Sequence, residues 1–369
     1  MLLGERDAFV PGQVHKMTVH GHDLVAYSAA APGSELLVAR DACPHRGASL
    51  GDGGTVVNTK NVENVKNKNA KNKNAENAKN KNAENAKNKN TKNTENTENT
   101  KNKNVKNTKI TKNTKNTKNT GDVCIRCAYH GMPIGKASHP DRHYVCQVSQ
   151  GLMWIDYTSL GREPLTEPPQ NEPPTYPEFD DPAFRTFGYY KTLRGVNPVL
   201  MVENTLDWQH LASVHRVHFV DGRPLVGIHK TGAHGLATYT YASELFDLTI
   251  ENEYHVPFTT SLRFKFRDKR TGRVLPPLLL WFTVTPVQED EIRLNLRVSR
   301  AVLKAVPAVT DWIFRLIDEL PLAEDAAVVS SIDAAEWSAN RLTPGDAFVG
   351  AYRQAMREAY PEVLDWYVR

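Results

Sequence analysis

Two short boxes carry the side chains best suited to chemistry: Cys43-Pro44-His45-Arg46-Gly47 and Cys127-Ala128-Tyr129-His130-Gly131. Each offers one thiolate and one imidazole from a tight loop. A [2Fe–2S] centre of mixed ligation uses this set: thiolates hold the ferric core, and neutral imidazoles leave the cluster less negative and easier to reduce. A structural zinc site uses the same residue types. Zinc fingers, however, usually pair Cys with Cys and His with His, whereas each loop here supplies one of each. A third reading joins Cys124 and Cys127 to Cys43 and Cys146, the only other cysteines, as an all-cysteine site. The mixed-ligand cluster is the favoured reading of the three.

A second set lies downstream. Asp207, His210 and His215 fall in a segment, Met201 to Phe219, whose pattern reads as helix. On an ideal helix, residues five apart point about 140° apart, which suits one metal only if the helix distorts. Spacing alone therefore favours solvated or core histidines. Near the C-terminus, Glu324 and Asp325 stand before an apolar run, with Asp333 beyond. Acids at such places are common because they favour the first turn of a helix.

The elements that must position these groups change character along the chain. Short strands flank the Gly21-His22 turn and recur at 36–39, 144–148 and 152–155, giving a small all-β domain over 1–58 and 121–160. A Pro-rich connection follows over 161–185. Residues 186–369 read as long strands at 237–248, 262–266, 278–285 and 292–298, with turns at 268–272 and 288–290. Helices are expected near 308–320, 324–340 and 346–360. An antiparallel sheet with helices packed on it makes the fold α+β.

Residues 59–120 interrupt the first domain with a degenerate repeat of Asn, Lys, Thr, Ala and Glu. Its 17 Lys and 5 Glu give +12, so the remaining residues of a +4 chain carry −8. The sequence pI of 8.7 and the mean hydropathy of −0.51 reflect that tract. It has no aromatic residue, no Arg and no apolar stripe, so it reads as disordered and not as a nucleic-acid or membrane surface. Between His45 and Cys127 lie 81 residues; without the 62 of the repeat, 19 remain, a hairpin-length spacer. Gly53 to Asn58 then joins Gly121 to Val123 as strand–turn–strand. The longest apolar run, 274–287, holds three prolines and is too short to span a bilayer. The N-terminus turns polar too early for a signal peptide. The expectation is a cytoplasmic protein with reduced thiols available to metal.

The two boxes, with Arg-Gly after the first and Tyr-His-Gly in the second, resemble the Rieske domain of ring-hydroxylating oxygenases. Respiratory Rieske proteins carry two more cysteines beside the cluster, where this chain has Ala48 and Tyr129. The Asp207-x-x-His210-x-x-x-x-His215 motif resembles that of the catalytic domain in the same family. The resemblance covers 8–58 and 121–360, and points to single-subunit members such as vanillate demethylase, saxitoxin-pathway hydroxylases and pheophorbide oxygenase. It implies a Rieske domain followed by a helix-grip (START-like) catalytic domain. Cys43, His45, Cys127 and His130 would hold the [2Fe–2S] cluster, and His210, His215 and Asp325 a mononuclear Fe(II). Glu324 and Asp333 are the rivals of Asp325. Asp207 would bridge His130 of one subunit to the iron of its neighbour in a head-to-tail homotrimer.

The implied activity is O2-dependent hydroxylation or oxidative demethylation of a small ring compound, with dihydroxylation as a variant. NAD(P)H would act only indirectly, through a separate reductase or ferredoxin, because neither a dinucleotide fingerprint nor a plant-type ferredoxin cysteine run occurs here. The alternative is a Rieske electron-transfer protein without oxygenase activity. Family members usually carry a further strand with a Trp before the segment that begins here at Phe9, and that strand is not expected in this chain.

Overall fold

Apolar–polar alternation, as in Ile292-Leu294-Leu296-Val298, sends successive side chains to opposite faces of a sheet. The computed structural model describes residues 1–58, 122–156, 160, 172–216, 227–242, 244–301, 307–333, 337 and 342–368. The insert at 59–120 and residues 161–171 of the Pro-rich connection lie outside the described residues.

The first ten strands are β1 (Leu2–Glu5), β2 (Val14–Val19), β3 (His22–Tyr27), β4 (Leu37–Arg40), β5 (Thr55–Asn58), β6 (Val123–Arg126), β7 (Pro133–Gly135), β8 (His143–Tyr144), β9 (Cys146–Ser149) and β10 (Leu152–Ile155). They form three small antiparallel sheets in the orders β1-β10-β9, β2-β3-β4-β8 and β5-β6-β7. The expected strand–turn–strand around the insert is present: Val56 faces Ile125, Val57 faces Cys124 and Asn58 faces Val123. The two ends of the insert therefore leave from adjacent strands. A strand before Phe9 is also present, contrary to expectation, although without a Trp. It pairs with β10 through Leu2, Gly4 and Glu5, with a register shift at Leu3, and Leu2 and Leu3 are buried.

The second half comprises α1 (Pro177–Asp180), β11 (Arg185–Arg194), α2 (Pro198–Leu206), α3 (His210–Ser213), β12 (Gly227–Thr231), β13 (His234–Ala242), β14 (Phe246–His255), β15 (Thr259–Asp268), β16 (Leu278–Gln288), β17 (Glu291–Arg300), α4 (Pro307–Val329), α5 (Ala347–Ala359) and α6 (Pro361–Val368). Seven antiparallel strands order as β11-β17-β16-β15-β14-β13-β12. Alternation divides their side chains. Tyr239, Ile250, Leu262 and Phe282 face a cavity under α2, α3 and α4. Leu279 and Trp281 face the other way and pack on Leu2, Leu152, Trp154 and Tyr176. The first half docks on this second face. The β2–β3 turn donates from His20 N to Pro286 O (2.8 Å) and from Gly21 N to Val287 O (2.9 Å), while Thr285 Oγ1 donates to Leu2 O.

Four elements depart from the sequence reading. The strand expected at 237–248 is two strands, β13 ending at Ala242 and β14 beginning at Phe246. Among the described residues, the helix expected at 201–219 stops at Leu206 and resumes as the short α3, and 217–219 lie outside them. The helices expected at 308–320 and 324–340 are, in their described part, one helix that runs through Pro321 to Val329. A further helix, α6, starts at Pro361, where proline's missing N–H is harmless at the first helical position.

Candidate metal centres

The two Cys/His boxes fold as copies of one loop. Cys43 N donates to Ala48 O (2.8 Å) and Gly47 N to Cys43 O (2.7 Å); Cys127 N donates to Met132 O (2.9 Å) and Gly131 N to Cys127 O (2.9 Å). Gly47 and Gly131 both sit at φ 70°, a left-handed conformation that costs a glycine nothing. Cys43 and Cys127 are buried in one apolar cluster with Leu50, Ile125 and Ile134. Opposite them, His45 Nδ1 and His130 Nδ1 lie 3.2 Å apart. Two imidazoles on one tetrahedral metal with bonds of about 2.0–2.1 Å require roughly this separation. Burial alone would raise the Cys127 thiol. Hydrogen bonds from the backbone of Tyr129 and His130 and with Cys43 outweigh it and hold the thiol below its ordinary value.

The four residues thus converge with sulfurs on the buried side and imidazoles on the outer side, which fits a [2Fe–2S] cluster. The all-cysteine reading lacks this convergence. Cys124 points its sulfur at Val57 O, and Cys146 packs in a different apolar cluster.

The second centre depends on a break in the helix. Asp207 caps the C-terminus of α2 in an extended conformation, and its Oδ1 accepts from Gln209 N at 2.8 Å. That local turn competes with the helix, as Asp side chains do. The chain then makes one turn of α3, and Arg216 takes a left-handed φ of 56°. The interruption brings the His210 and His215 rings to 5.1 Å between centroids, which an unbroken helix would not allow. From α4, Asp325 Oδ1 reaches to 3.0 Å from His215 Nε2 and 3.7 Å from His210 Nε2.

Asp325 Oδ1 is buried and accepts no hydrogen bond among the described residues. The outer nitrogens of both rings are held: His210 Nδ1 against Asp207 O, and His215 Nδ1 against Glu324 Oε2 at 2.9 Å. Outer partners of this kind orient imidazoles toward a metal. Two imidazoles and one carboxylate with an orphaned oxygen fit an Fe(II) with open positions. Glu324, a rival for the third place, is instead turned to the back of His215, a role that sequence reasoning did not assign it. Asp333 is not in the cluster.

Asp207 lies in the wall of the same cavity. Burial pushes its carboxyl up, against the opposing pull of the Gln209 N–H and His210. It is both the helix-capping acid and a neighbour of the triad.

α2 is pinned so that this geometry holds. Asn197 caps its start through Val199 N and Leu200 N. Glu203 receives Arg353 of α5 through both oxygens at 2.7 Å and Trp337 Nε1 at 2.8 Å. Asn252 Nδ2 donates to Thr205 O at 2.9 Å.

Fold and donor sets together define the class: an iron–sulfur domain joined to a mononuclear iron domain. Comparison with known proteins agrees. Residues 1–64 match the Rieske [2Fe–2S] domain, and residues 230–361 match the vanillate O-demethylase oxygenase C-terminal domain. The chain is a Rieske-type oxygenase, an oxidoreductase that acts with O2, and it carries a catalytic domain of the vanillate O-demethylase kind.

Solved structures show the same fold. Dicamba monooxygenase bound to dicamba aligns over 99% of this chain and 96% of its own, with 16% identity and a TM-score of 0.63. A Pseudomonas putida CBB5 NdmA QL mutant with caffeine aligns over 100% and 92%, with 16% identity and a TM-score of 0.60. NdmB of the same organism aligns over 100% and 94%, with 16% identity and a TM-score of 0.61. A search of curated proteins finds no match. Neither domain match reaches Cys127, His130, His210 or His215, so only the geometry unites these residues with the rest. No helix among the described residues is long and apolar enough to cross a membrane.

Proposed function

We propose that the chain is the oxygenase component that hydroxylates or oxidatively demethylates a small, uncharged ring compound, with electrons from a separate reductase. The observation that carries this reading is the convergence of His210 Nε2, His215 Nε2 and Asp325 Oδ1 on the wall of an apolar cavity of about 230 Å³. Cys43, His45, Cys127 and His130 would hold the [2Fe–2S] cluster, and the triad the iron. The cluster supplies single electrons, and the iron supplies activation of dioxygen.

The residues of the chain do the rest. Leu262, Phe264 and Phe282 flank the ring and exclude water from the site. No Lys or Arg lines the cavity among the described residues, so an anionic substrate has no counter-charge there. Besides Asp325 Oδ1, the buried polar atoms Asn204 Nδ2, Tyr239 OH and Asn252 Oδ1 line it without a hydrogen-bond partner among the described residues. Asn252 is oriented by its own donation to Thr205 O, which leaves Oδ1 as an acceptor. Such atoms favour a substrate that both donates and accepts hydrogen bonds, since leaving them unpaired costs about 1–3 kcal/mol each. Neighbours of this fold were solved with dicamba, theobromine and caffeine. The last two are neutral rings, which a lining without Lys or Arg suits.

Asp207 would connect His130 of one subunit to the triad of the next, in a trimer. The remaining boundaries of the reading are domains at 1–58 with 121–160 and at 186–369.

Iron, acid-labile sulfide and the paramagnetic spectrum of anaerobically purified protein test it. About three irons and two sulfides with a Rieske spectrum are expected, followed by substrate-dependent dioxygen consumption with a competent reductase. About two irons and no consumption across a ring-compound panel would leave an electron carrier.

A further inference from the structure

The catalytic sheet carries a second convergence of two histidines and a carboxylate, on the face turned away from the triad. His234 of β13 and His255 of β14 are direct cross-strand partners. Glu253 lies two residues before His255, so strand alternation puts all three side chains on one face. Ile250 and Asn252, of opposite parity, point into the iron cavity. Glu253 Oε1 lies 2.7 Å from His234 Nε2 and 3.2 Å from His255 Nε2. Ser261 Oγ donates to the other oxygen at 3.0 Å, which fixes the carboxylate with Oε1 between the rings. Both imidazoles border a cavity of about 280 Å³ whose far wall belongs to the Rieske side: Met1, Trp154 and Asp156.

We propose that His234, Glu253 and His255 form a second metal site, separate from the mononuclear iron centre, and that it takes zinc. Their donor atoms lie within 4.8 Å of one another. Small outward shifts bring them to the bond lengths of about 2.0–2.2 Å that zinc makes with imidazole and carboxylate. Three protein ligands leave a fourth position, and the adjoining cavity has room for the water that would fill it. Glu253 supplies the one carboxylate of the set, held toward both ring nitrogens by its contacts and by Ser261. The ion would fasten the ends of β13 and β14 where they meet the Rieske wall, and would stabilise the folded chain by mass action.

The test uses cluster- and iron-loaded protein, dialysed against zinc and desalted, with elemental analysis and thermal melting. The expected result is about one zinc per chain, undiminished iron and a raised Tm. H234Q and H255Q should each weaken zinc binding at least about tenfold while keeping their iron. E253Q, which preserves shape, guards against misfolding as the cause. The proposal is overturned if no zinc survives desalting, if the variants retain zinc like the parent, or if zinc enters only as iron leaves. Because zinc and iron are counted separately, failure here does not touch the oxygenase reading, and failure of that reading leaves zinc binding intact.

Discussion

At the residue scale the triad is defined by what each donor atom lacks and what holds its back. Asp325→Ala removes the one carboxylate aimed at both Nε2 atoms. Iron should fall from about three to about two per chain with the Rieske spectrum unchanged; loss of the cluster signal as well would show that the two centres are not independent. Glu324→Gln keeps the shape behind His215 but weakens the charge-assisted contact at 2.9 Å. Mononuclear iron should bind about ten- to a hundredfold more weakly in a chelator competition, with the cluster unaffected.

Not all of this was legible beforehand. The boxes at Cys43 and Cys127 announce themselves by composition, because each contributes both ligand types from one tight loop. His210 and His215 do not, since their spacing is wrong for a regular helix. The missing signal is Asp207, a residue apt to end a helix by bonding its own backbone two residues on. Glu253 and His255 drew no reading, because the sequence analysis placed no strand across them. Their partner His234 drew none either, because reading 237–248 as a single strand concealed the register that sets it opposite His255.

At the scale of elements, α2 owes its place to a buried ion pair. Glu203 is 6% and Arg353 7% exposed, and the two are joined through both carboxylate oxygens. Arg353→Met would leave a buried carboxylate without its cation, at a cost of about 3–5 kcal/mol. The denaturant midpoint should drop accordingly, and mononuclear iron should be lost before the cluster.

The β5–β6 hairpin makes the opposite case. Its register is intact up to Asn58 opposite Val123, so closure does not depend on what lies between. Replacing 59–122 by an Asn-Gly turn should leave both metal contents unchanged. By loop-closure entropy it should raise stability by up to about 3 kcal/mol. Apo protein from that variant would mean that the tract serves cluster assembly. The long strands of the second half were readable from alternation, whereas the single helix through Pro321 was not. Proline breaks a helix on propensity, and tertiary packing beneath the cavity overrides it here.

At the scale of the whole molecule, the two halves meet where the β2–β3 turn rests on β16 and α6. His20 sits in that joint, with Nδ1 3.3 Å from Tyr367 OH. Burial, and secondarily repulsion from His22, lowers its pKa to about 3. It is thus neutral in the fold, while an unfolded chain protonates it at about 6.5. Between those two values the unfolded state binds more protons. The stability this group contributes is complete above about 6.5 and is lost as pH falls toward 3. The fall in Tm between pH 7 and pH 4 should be shallower in His20→Asn, which tolerates the left-handed φ of 51°. Equal slopes in the two proteins would place the acid sensitivity in other groups.

The hairpin also has a use that its chemistry does not suggest. β6 carries Cys127 just beyond one end and meets the insert at the other, four residues away, or roughly 13 Å along a strand. A tag, a tether or a whole folded electron-donor protein spliced between Asn58 and Asp122 would hang from the far end of that strand. It would leave the ligand loops untouched and still stay within one short strand of the cluster. The tip is a ready-made port for building a self-sufficient, single-chain oxygenase.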